Sequence, residues 1–523
     1  MPSSIISGRN FRAFTNTITR HFLRVSKTYT SLTCLKFQLD LLDSSQVSSE
    51  SYNVGKLKDA PSKPLPRFVG QDQRAAAIPY VQRLQKCSKL KDLAYGKKIH
   101  AQIIDAGLAS NIYIASSLVS MYAKCGSLDD AIRVFDRMPE RDAVCWNAII
   151  AAYAKLGKGK QALELCQQMK QQGFQPTGVT FVFMLHAYAS LGALEKGKQV
   201  HAAIVEARLE LDVFVGAALI NMYVKQGFVE FARQVFDRLP EKTVVSWTTM
   251  ISGYAQVGNV GDAFALYNQM KGHNVKPNSV TFVCILKACS SNATLHLGKQ
   301  VHAEIIDAGL ESNVFIGTAL IDMYAKCGSL VDARQVFERS LQEHVVSWNA
   351  IISGYAMHGK GVEAFHLFHR MKQHNVKPNN VTFLSVLCLC SRLGLVDESR
   401  RLFDMMSNDY ELSPTFKHYG CLVDLFGRAG QLNEAILLID DSPLTSELSL
   451  WMSLLGACRL HGDVKLAEYV AKRVLELDPQ NSAACVLLSN LYAEGRSWSK
   501  RAELRMLMKE RGVRKEPGRS LMA

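Results

Sequence analysis

Three near-copies of one segment lie end to end in this chain, and each is displaced from the previous copy by 101 residues. Trp146, Trp247 and Trp348 mark the same position of successive copies. A fixed period without slippage predicts a stacked array of one building unit, because every copy must meet its neighbours in the same way. Such an array differs from a globular domain with a single core, and its extended surface favours a long binding partner.

Each 101-residue block divides into segments of 35, 35 and 31 residues, of which residues 143–177 are an example. One apolar-periodic stretch runs from Trp146 to Lys155 and stops at Gly157, and a second runs from Lys160 to Gln172 and stops at Gly173. Glycine just past the last turn is a helix C-terminal signal, so each segment is predicted to be a helical hairpin. Both stretches carry apolar residues on more than one side, so a hairpin must stack on its neighbours. We therefore predict an all-α, superhelical α-solenoid of stacked helix-turn-helix hairpins with a concave face.

The formal net charge is +14, and residues 1–74, with 11 Lys/Arg against 5 Asp/Glu, hold +6 of it. A basic array suits a polyanionic partner such as a nucleic acid, although a solvated basic surface has the same composition. Residues 1–39 contain no Asp or Glu and combine arginines with apolar residues at helical spacing, which is the profile of an organelle transit peptide. Arginine and serine favour a mitochondrial address, and a plastid address is the alternative. The residues could also be an ordinary disordered tail with no targeting role. Residues 40–76 are interpreted as a linker.

Several classes of chemistry find no support in the sequence. No run approaches the roughly 18 apolar residues of a membrane span, so we expect no membrane partner. The 13 cysteines form no C-x-x-C pair, which favours packing roles in a reducing compartment. His302-Ala303-Glu304 imitates half of the zinc site of a nucleobase deaminase, but the P-C-x-x-C that completes such a site is missing. We therefore expect no enzyme activity, no catalytic residue, no metal ligand and no cofactor.

Two other recurring residue types are expected to serve packing. His100, His201 and His302 follow the 101-residue step and would lie too far apart to share a metal. The three tryptophans lie in apolar helical stripes, so we expect them to pack between hairpins and not to stack on bases.

The alternation of segment lengths and phrases such as VVSWNAIISGYA, GKQVHAEII and ALIDMYAKCGSLVDARQVF resemble the plant pentatricopeptide repeat (PPR) proteins of the P-L-S subfamily. The resemblance covers residues 77–514. It implies an array of 11 repeats over residues 77–446: L 77–111, S 112–142, P 143–177, L 178–212, S 213–243, P 244–278, L 279–313, S 314–344, P 345–379, a variant L 380–415 and a variant S 416–446. Residues 447–480 and 481–514 resemble two tandem E-type motifs, and residues 515–523 would be a truncated tail at the point where related proteins continue into a DYW deaminase domain.

The resemblance also implies which residues read RNA. PPR arrays assign one base of single-stranded RNA to each repeat, and in this family the fifth and the last residue of a repeat contact the base edge. The pairs carried over are Ser116 with Asp142 (guanine), Asn147 with Thr177 (pyrimidine), Thr248 with Asn278 (adenine), Thr318 with His344 (departing from the family's pattern) and Asn349 with Asn379 (pyrimidine).

The second residue of a repeat would wedge against the base, and in the P repeats it is Val144, Val245 and Val346. Ala217, at position five of an S repeat, has no polar side chain for a base edge. The L repeats carry Val81, Val182, Val283 and Leu384 at position five, which suits spacing between reading repeats. The predicted target is n-G-Y-n-n-A-n-n-Y-n-n, from 5′ to 3′.

The order of P-L-S repeats and E-type motifs resembles that of site-recognition factors for C-to-U RNA editing in organelles. The resemblance implies an RNA-binding protein that recruits a deaminase in trans through residues 447–514. One alternative is an RNA-binding factor for transcript stabilisation, splicing or translation without editing. Another is a protein-binding scaffold, against which the polar pairs at the reading positions argue.

Overall fold

The computed structural model describes residues 71–340, 344–510 and 512 of the 523-residue chain. The expected transit peptide, most of the expected linker and the tail at 515–523 lie outside these described residues. Within them the chain forms 26 α-helices and no β-strand. The predicted all-α fold of stacked hairpins, an α-solenoid, is confirmed.

Consecutive helices pair into hairpins, in which an odd-numbered helix is followed by an even-numbered one. In chain order they are α1 Gln71–Leu90, α2 Leu93–Asp105, α3 Ile112–Lys124, α4 Leu128–Arg137, α5 Ala143–Lys155, α6 Gly159–Gln171, α7 Gly178–Leu191, α8 Leu194–Glu206, α9 Val213–Lys225, α10 Val229–Arg238, α11 Val244–Gln256, α12 Val260–Gly272, α13 Ser279–Ser291, α14 Leu295–Asp307, α15 Val314–Lys326, α16 Leu330–Arg339, α17 Val345–Met357, α18 Gly361–Gln373, α19 Asn380–Leu393, α20 Val396–Asn408, α21 Phe416–Arg428, α22 Leu432–Asp440, α23 Leu448–His461, α24 Val464–Leu477, α25 Ser482–Glu494 and α26 Trp498–Glu510.

The helix ends follow from local chemistry. The first helix of the segment at 143–177 begins at Ala143, three residues before the apolar stretch, because the Asp142 side chain accepts a hydrogen bond from the Cys145 N–H (2.8 Å) and caps the first turn. It ends at Lys155, and Gly157, the predicted stop signal just beyond it, adopts φ +72°. The next amide, that of Lys158, donates to the Tyr153 carbonyl (3.0 Å), so the last turn closes in the Schellman pattern.

Contacts divide the described residues into two compact units, one up to Ala187 and one from Tyr188 onwards. Within the first unit, α1 packs on α3 and α3 on α5. Within the second, the odd-numbered helices from α9 to α25 pack in the same way, each on the next odd-numbered helix. The first helices of the hairpins therefore form one continuous layer in each unit, and their partners cover one side of it.

The recurring tryptophans lie inside this packing. Trp146, Trp247 and Trp348 are at most 1% exposed, and each meets a phenylalanine of the preceding helix edge to face at 4.8 Å between ring centres. The prediction that they pack between hairpins is confirmed.

The recurring histidines also have a packing role, as predicted. The Nδ1 atoms of His100, His201 and His302 lie 2.8, 2.9 and 2.8 Å from a tyrosine hydroxyl of the following hairpin. Burial lowers the pKa of all three imidazoles, because it disfavours the charged form. No described helix is long and apolar enough to cross a membrane, and the described residues contain no group of three or more potential metal ligands.

Candidate nucleic-acid interface

The predicted reading pairs join consecutive hairpins. The fifth residue lies in the second turn of a first helix, and the last residue of the same repeat is the N-cap of the first helix that follows. Because consecutive first helices pack side by side, two residues about 30 positions apart in sequence come within hydrogen-bonding reach. The last residue of a repeat, the second of its two predicted readers, is thus also the N-cap of the helix that follows.

In the first unit, the Ser116 hydroxyl donates to Oδ1 of Asp142 at 3.1 Å. The same carboxylate oxygen accepts the capping hydrogen bond from the Cys145 amide. Ser116 is only 4% exposed, and these contacts hold the half-buried carboxylate in one orientation. An acceptor fixed in this way can take a hydrogen bond from a base edge without first being ordered.

The two Asn-containing pairs share a second geometry. The amide nitrogen of Asn349 donates to Oδ1 of Asn379 (3.1 Å), and the Thr382 hydroxyl donates to Oδ1 of Asn349 (2.6 Å). In the first unit, Asn147 donates to the Thr177 hydroxyl at 3.1 Å and accepts from Thr180 at 2.7 Å. Each pair is therefore braced by a threonine at the third position of the following repeat.

Thr248 and Asn278 are brought together indirectly. The hydroxyls of Thr248 and Thr281 lie 2.8 Å apart, and Thr281 donates to Oδ1 of Asn278 at 3.0 Å. Thr281 is completely buried and Thr248 is 3% exposed. The predicted adenine-reading pair is thus a three-residue chain of hydrogen bonds.

The bracing threonines were not singled out in the sequence. Thr180, Thr281 and Thr382 follow the 101-residue step within the recurring tripeptide Val-Thr-Phe, which is the signal that could have found them. All three are completely buried, so they act by holding the readers and present no surface of their own.

The pair that departs from the family's pattern behaves differently. The Thr318 hydroxyl lies 3.4 Å from that of Ser347, and the described contacts include no hydrogen bond between Thr318 and His344. His344 is the N-cap of α17 but makes no side-chain capping bond, and its side chain is exposed. The structure does not join these two predicted readers.

Apolar side chains project beside the reading pairs. The wedge candidates Val144, Val245 and Val346 are 61, 46 and 53% exposed, although each lies in the first turn of a helix that packs inside the array. The S repeats carry an aromatic residue at the same second position, which the sequence reasoning missed: Tyr113, Phe214 and Phe315, at 46, 64 and 51% exposure. An exposed apolar face beside a polar pair suits a flat, unstacked base.

Positive charge accompanies the same helices. The first helices of the three S repeats carry Lys124, Lys225 and Lys326 in their last turn. Eight residues separate each lysine from position five of its repeat, which is about 12 Å along a helix. Lys326 is paired with Asp322 (2.7 Å). Each S-repeat helix therefore has position five near one end and a lysine at the other, and in the first S repeat position five is the paired Ser116.

Family models match most of the array. The PPR repeat family model matches residues 141–190, 242–291 and 343–392. The PPR repeat model matches residues 113–142, 218–244, 318–345, 381–409 and 417–441. The E motif model matches residues 461–523.

Relatives in Arabidopsis thaliana agree with these matches. A pentatricopeptide repeat-containing protein described as chloroplastic is 40% identical over 86% of this chain and 56% of its own length, and one described as mitochondrial is 39% identical over 83% and 50%. The chloroplastic protein CRR2 is 36% identical over 92% of this chain and 73% of its own length. The chain thus spans about half of the length of several of these relatives.

Solved structures show the same fold at low sequence identity. Maize pentatricopeptide repeat protein PPR10 superposes with a TM-score of 0.54 at 16% identity, covering 84% of this chain and 71% of that one. Its complex with an 18-nucleotide psaJ RNA element gives a TM-score of 0.58 at 15% identity, covering 84% and 66%. Together with the family models and the curated relatives, this places the chain in the pentatricopeptide repeat family, with an E motif after its repeats.

Proposed function

We propose that this protein binds single-stranded RNA sequence-specifically and reads one base with each polar pair. The observation that carries the proposal is the joining of fifth and last residues across consecutive hairpins, at Ser116–Asp142, Asn147–Thr177 and Asn349–Asn379 directly. Within each unit, such pairs place hydrogen-bond donors and acceptors beside exposed apolar side chains. The complex of maize PPR10 with an RNA element, whose fold this chain shares, supports the same function.

The hydrogen-bond chemistry explains the expected preferences. In the family that the chain belongs to, a small hydroxyl at position five goes with a purine, and an amide such as that of Asn349 or Asn147 goes with a pyrimidine. The capping residue then discriminates keto from amino groups through the atom it presents. The target that the resemblance implies, n-G-Y-n-n-A-n-n-Y-n-n, takes its four informative bases from four polar pairs, whose members are in hydrogen-bonding contact directly or through Thr281.

A pair of reciprocal substitutions tests the reading positions. Thr248→Asn recreates around Thr281 and Asn278 the arrangement that Asn349 makes with Thr382 and Asn379, so it should shift one base from adenine toward pyrimidine. The expected change in relative affinity is about 1–3 kcal/mol. Asn349→Thr is the matched variant and should shift a different base, three positions away in the RNA, in the opposite direction.

Affinities of both variants for a panel of RNAs with single base changes provide the measurement. Equal weakening for every RNA, without a change of preference, would show that these residues support the fold and do not read bases.

We further propose that the protein is an organellar site-recognition factor for C-to-U editing and recruits a deaminase in trans through residues 447–514. The E motif after the repeats supports this role. The relatives described as chloroplastic or mitochondrial support an organellar location, and the acid-free, arginine-containing residues 1–39 favour the mitochondrion, with a plastid as the alternative. In this role the chain binds and positions RNA, and the deaminase supplies the chemistry.

Organellar transcripts from plants lacking the protein test the editing role. Loss of editing at one or a few cytidines, preceded by a sequence that fits the predicted target, is the expected result. In complementation, a chain that lacks residues 447–514 should bind the transcript but should not restore editing. Unchanged editing with altered transcript ends, splicing or abundance would instead identify a factor that acts through RNA binding alone.

A further inference from the structure

Two thiols from successive hairpins meet in the second unit. Cys388 on α19 and Cys421 on α21 place their Sγ atoms 3.1 Å apart, in thiol–thiol hydrogen-bonding contact. Both side chains are half-buried and both thiols are free. By contrast, Cys125 reaches only the Cys87 carbonyl (3.9 Å) and a methionine sulfur.

The surroundings favour one thiolate in this pair. The hydrogen bond with Cys421 lowers the pKa of Cys388, and so does the positive charge of Arg392, one helical turn further along α19, against the opposing effects of burial and of the Asp424 carboxylate. The same hydrogen bond raises the pKa of Cys421. In neighbouring Cys390, burial raises the pKa to about 12. Because the thiolate is the nucleophile in thiol chemistry, Cys388 is the attacking sulfur.

The geometry is close to that of a covalent link. A disulfide needs the two sulfurs at about 2 Å, so the side chains must approach by only about 1 Å. The residues are 33 positions apart on two helices that pack directly against each other. A bond between them would restrain the unfolded chain across one whole hairpin.

We propose that Cys388 and Cys421 form a reversible oxidation site that becomes an intramolecular disulfide on reaction with a small disulfide such as glutathione disulfide. The Cys388 thiolate attacks one sulfur of glutathione disulfide, forms a mixed disulfide and expels one glutathione thiolate. Cys421 then loses its proton and attacks Cys388 Sγ, which releases the second glutathione. The two protein thiols lose two electrons, and glutathione disulfide gains them to become two glutathione molecules.

The site goes beyond the proposed function and does not depend on it. Cys388 lies one helical turn from Leu384, the residue at position five of its repeat, on the same face of α19. The disulfide would therefore fix the separation of α19 and α21 next to Leu384, the position predicted to set the spacing between reading repeats. A change in thiol state at this point would act on the array and not on the chemistry of a base.

Peptide mapping of the full-length protein tests the proposal. After incubation of the reduced protein with glutathione disulfide, trypsin without reductant should release residues 373–392 joined to residues 418–428. The joined mass should be two hydrogens below the sum of the two peptides, and dithiothreitol should separate them. Oxidation should reduce the fraction of Cys388 and Cys421 that iodoacetamide labels by a factor at least ten times larger than the corresponding factor for Cys125.

Matched variants locate the bond. Cys390→Ala removes the other cysteine of the same peptide and should leave the link intact, whereas Cys388→Ser should abolish it while keeping a hydroxyl of similar size. Cys421→Ser removes the other sulfur of the bond and should also abolish the link, so the result does not depend on the folding of one variant alone. Full labelling of both thiols after oxidation, or a link that persists in Cys388→Ser and disappears in Cys390→Ala, would overturn the proposal.

Discussion

Removing the indole of Trp247 tests the packing that holds the array together. The side chain is 1% exposed and meets Phe236 edge to face at 4.8 Å. Truncating a buried tryptophan to alanine costs about 3–5 kcal/mol, and an aromatic pair contributes about 0.5–1.5 kcal/mol beyond its buried area. Both figures place Trp247→Ala among the most destabilising single substitutions expected in this chain.

The indole nitrogen decides where in that range the loss of unfolding free energy should lie. Nε1 of Trp247 is buried without a hydrogen-bond partner, and an unsatisfied buried donor costs about 1–3 kcal/mol. Truncation removes this penalty as well as the favourable packing, so we expect a loss near the lower end, about 3 kcal/mol. Trp247→Phe is the matched control, because it keeps an aromatic ring and removes the unpaired N–H; its effect should be within about 1 kcal/mol.

Urea unfolding followed by circular dichroism, with RNA binding measured below the transition, provides the assay. Circular dichroism is preferable to fluorescence because the substitution removes a fluorophore. The reasoning fails if Trp247→Ala unfolds at the wild-type urea concentration but no longer binds RNA, since that result would make the indole a base-stacking surface. We expect the substitution to lower the stability of several neighbouring hairpins and not of one alone, because each repeat is stabilised by its neighbours.

Two further perturbations test other features of the packing. Gly354→Ala should destabilise by about 1–3 kcal/mol in urea unfolding, because the new Cβ would lie 2.7 Å from Ala325 Cβ on the preceding first helix; Gly272→Ala, where nothing lies within 4 Å, should be neutral or stabilising. Stability should also fall as the pH drops below about 6.5, where imidazoles of the unfolded chain begin to bind protons while burial keeps His302 neutral to a lower pH. His302→Gln, which can still hydrogen-bond to Tyr324, should weaken this dependence in unfolding midpoints compared at pH 7.5 and 5.5, and an unchanged dependence would assign it to other groups.

The sequence was sufficient for the building unit but not for its connections. Periodicity and terminal glycines such as Gly157 predict hairpins, because both signals act within one helix. The start of α5 at Ala143 was missed, since its first turn is set by the Asp142 cap and not by apolar spacing. Likewise, the role of Thr281 depends on how two first helices face each other, which no pattern within one segment records.

The reading pairs themselves were predictable as positions but not as contacts. A rule that names the fifth and last residues assigns the same relationship to every repeat. Whether two side chains meet depends on their lengths and on the nearest competitor. Asn349 and Ser116 reach their partners directly, Thr248 meets Thr281 and through it Asn278, and Thr318 meets Ser347.

The last residue of a repeat caps a helix and is proposed to read a base, and these two roles together limit which substitutions the fold tolerates. Asp, Asn, Ser and Thr are the side chains that cap helices best, and they are also those with a short polar group suited to a base edge. Exchanges among them at Asp142, Asn278 or Asn379 can therefore alter base preference while keeping a capping group. His344 stands outside this set and makes no capping bond.

His344→Asn should consequently change two properties at once. A new cap on α17 should stabilise the protein by about 1 kcal/mol, seen as a higher urea midpoint, because asparagine at Asn379 already accepts from two amides of the following turn. The repeat should also gain a base preference, since its fifth and last positions would then carry the Thr318 hydroxyl and an amide, as Thr248 and Asn278 do in another repeat. Increased stability without any new preference would separate capping from reading and limit the role of the last residue to the fold.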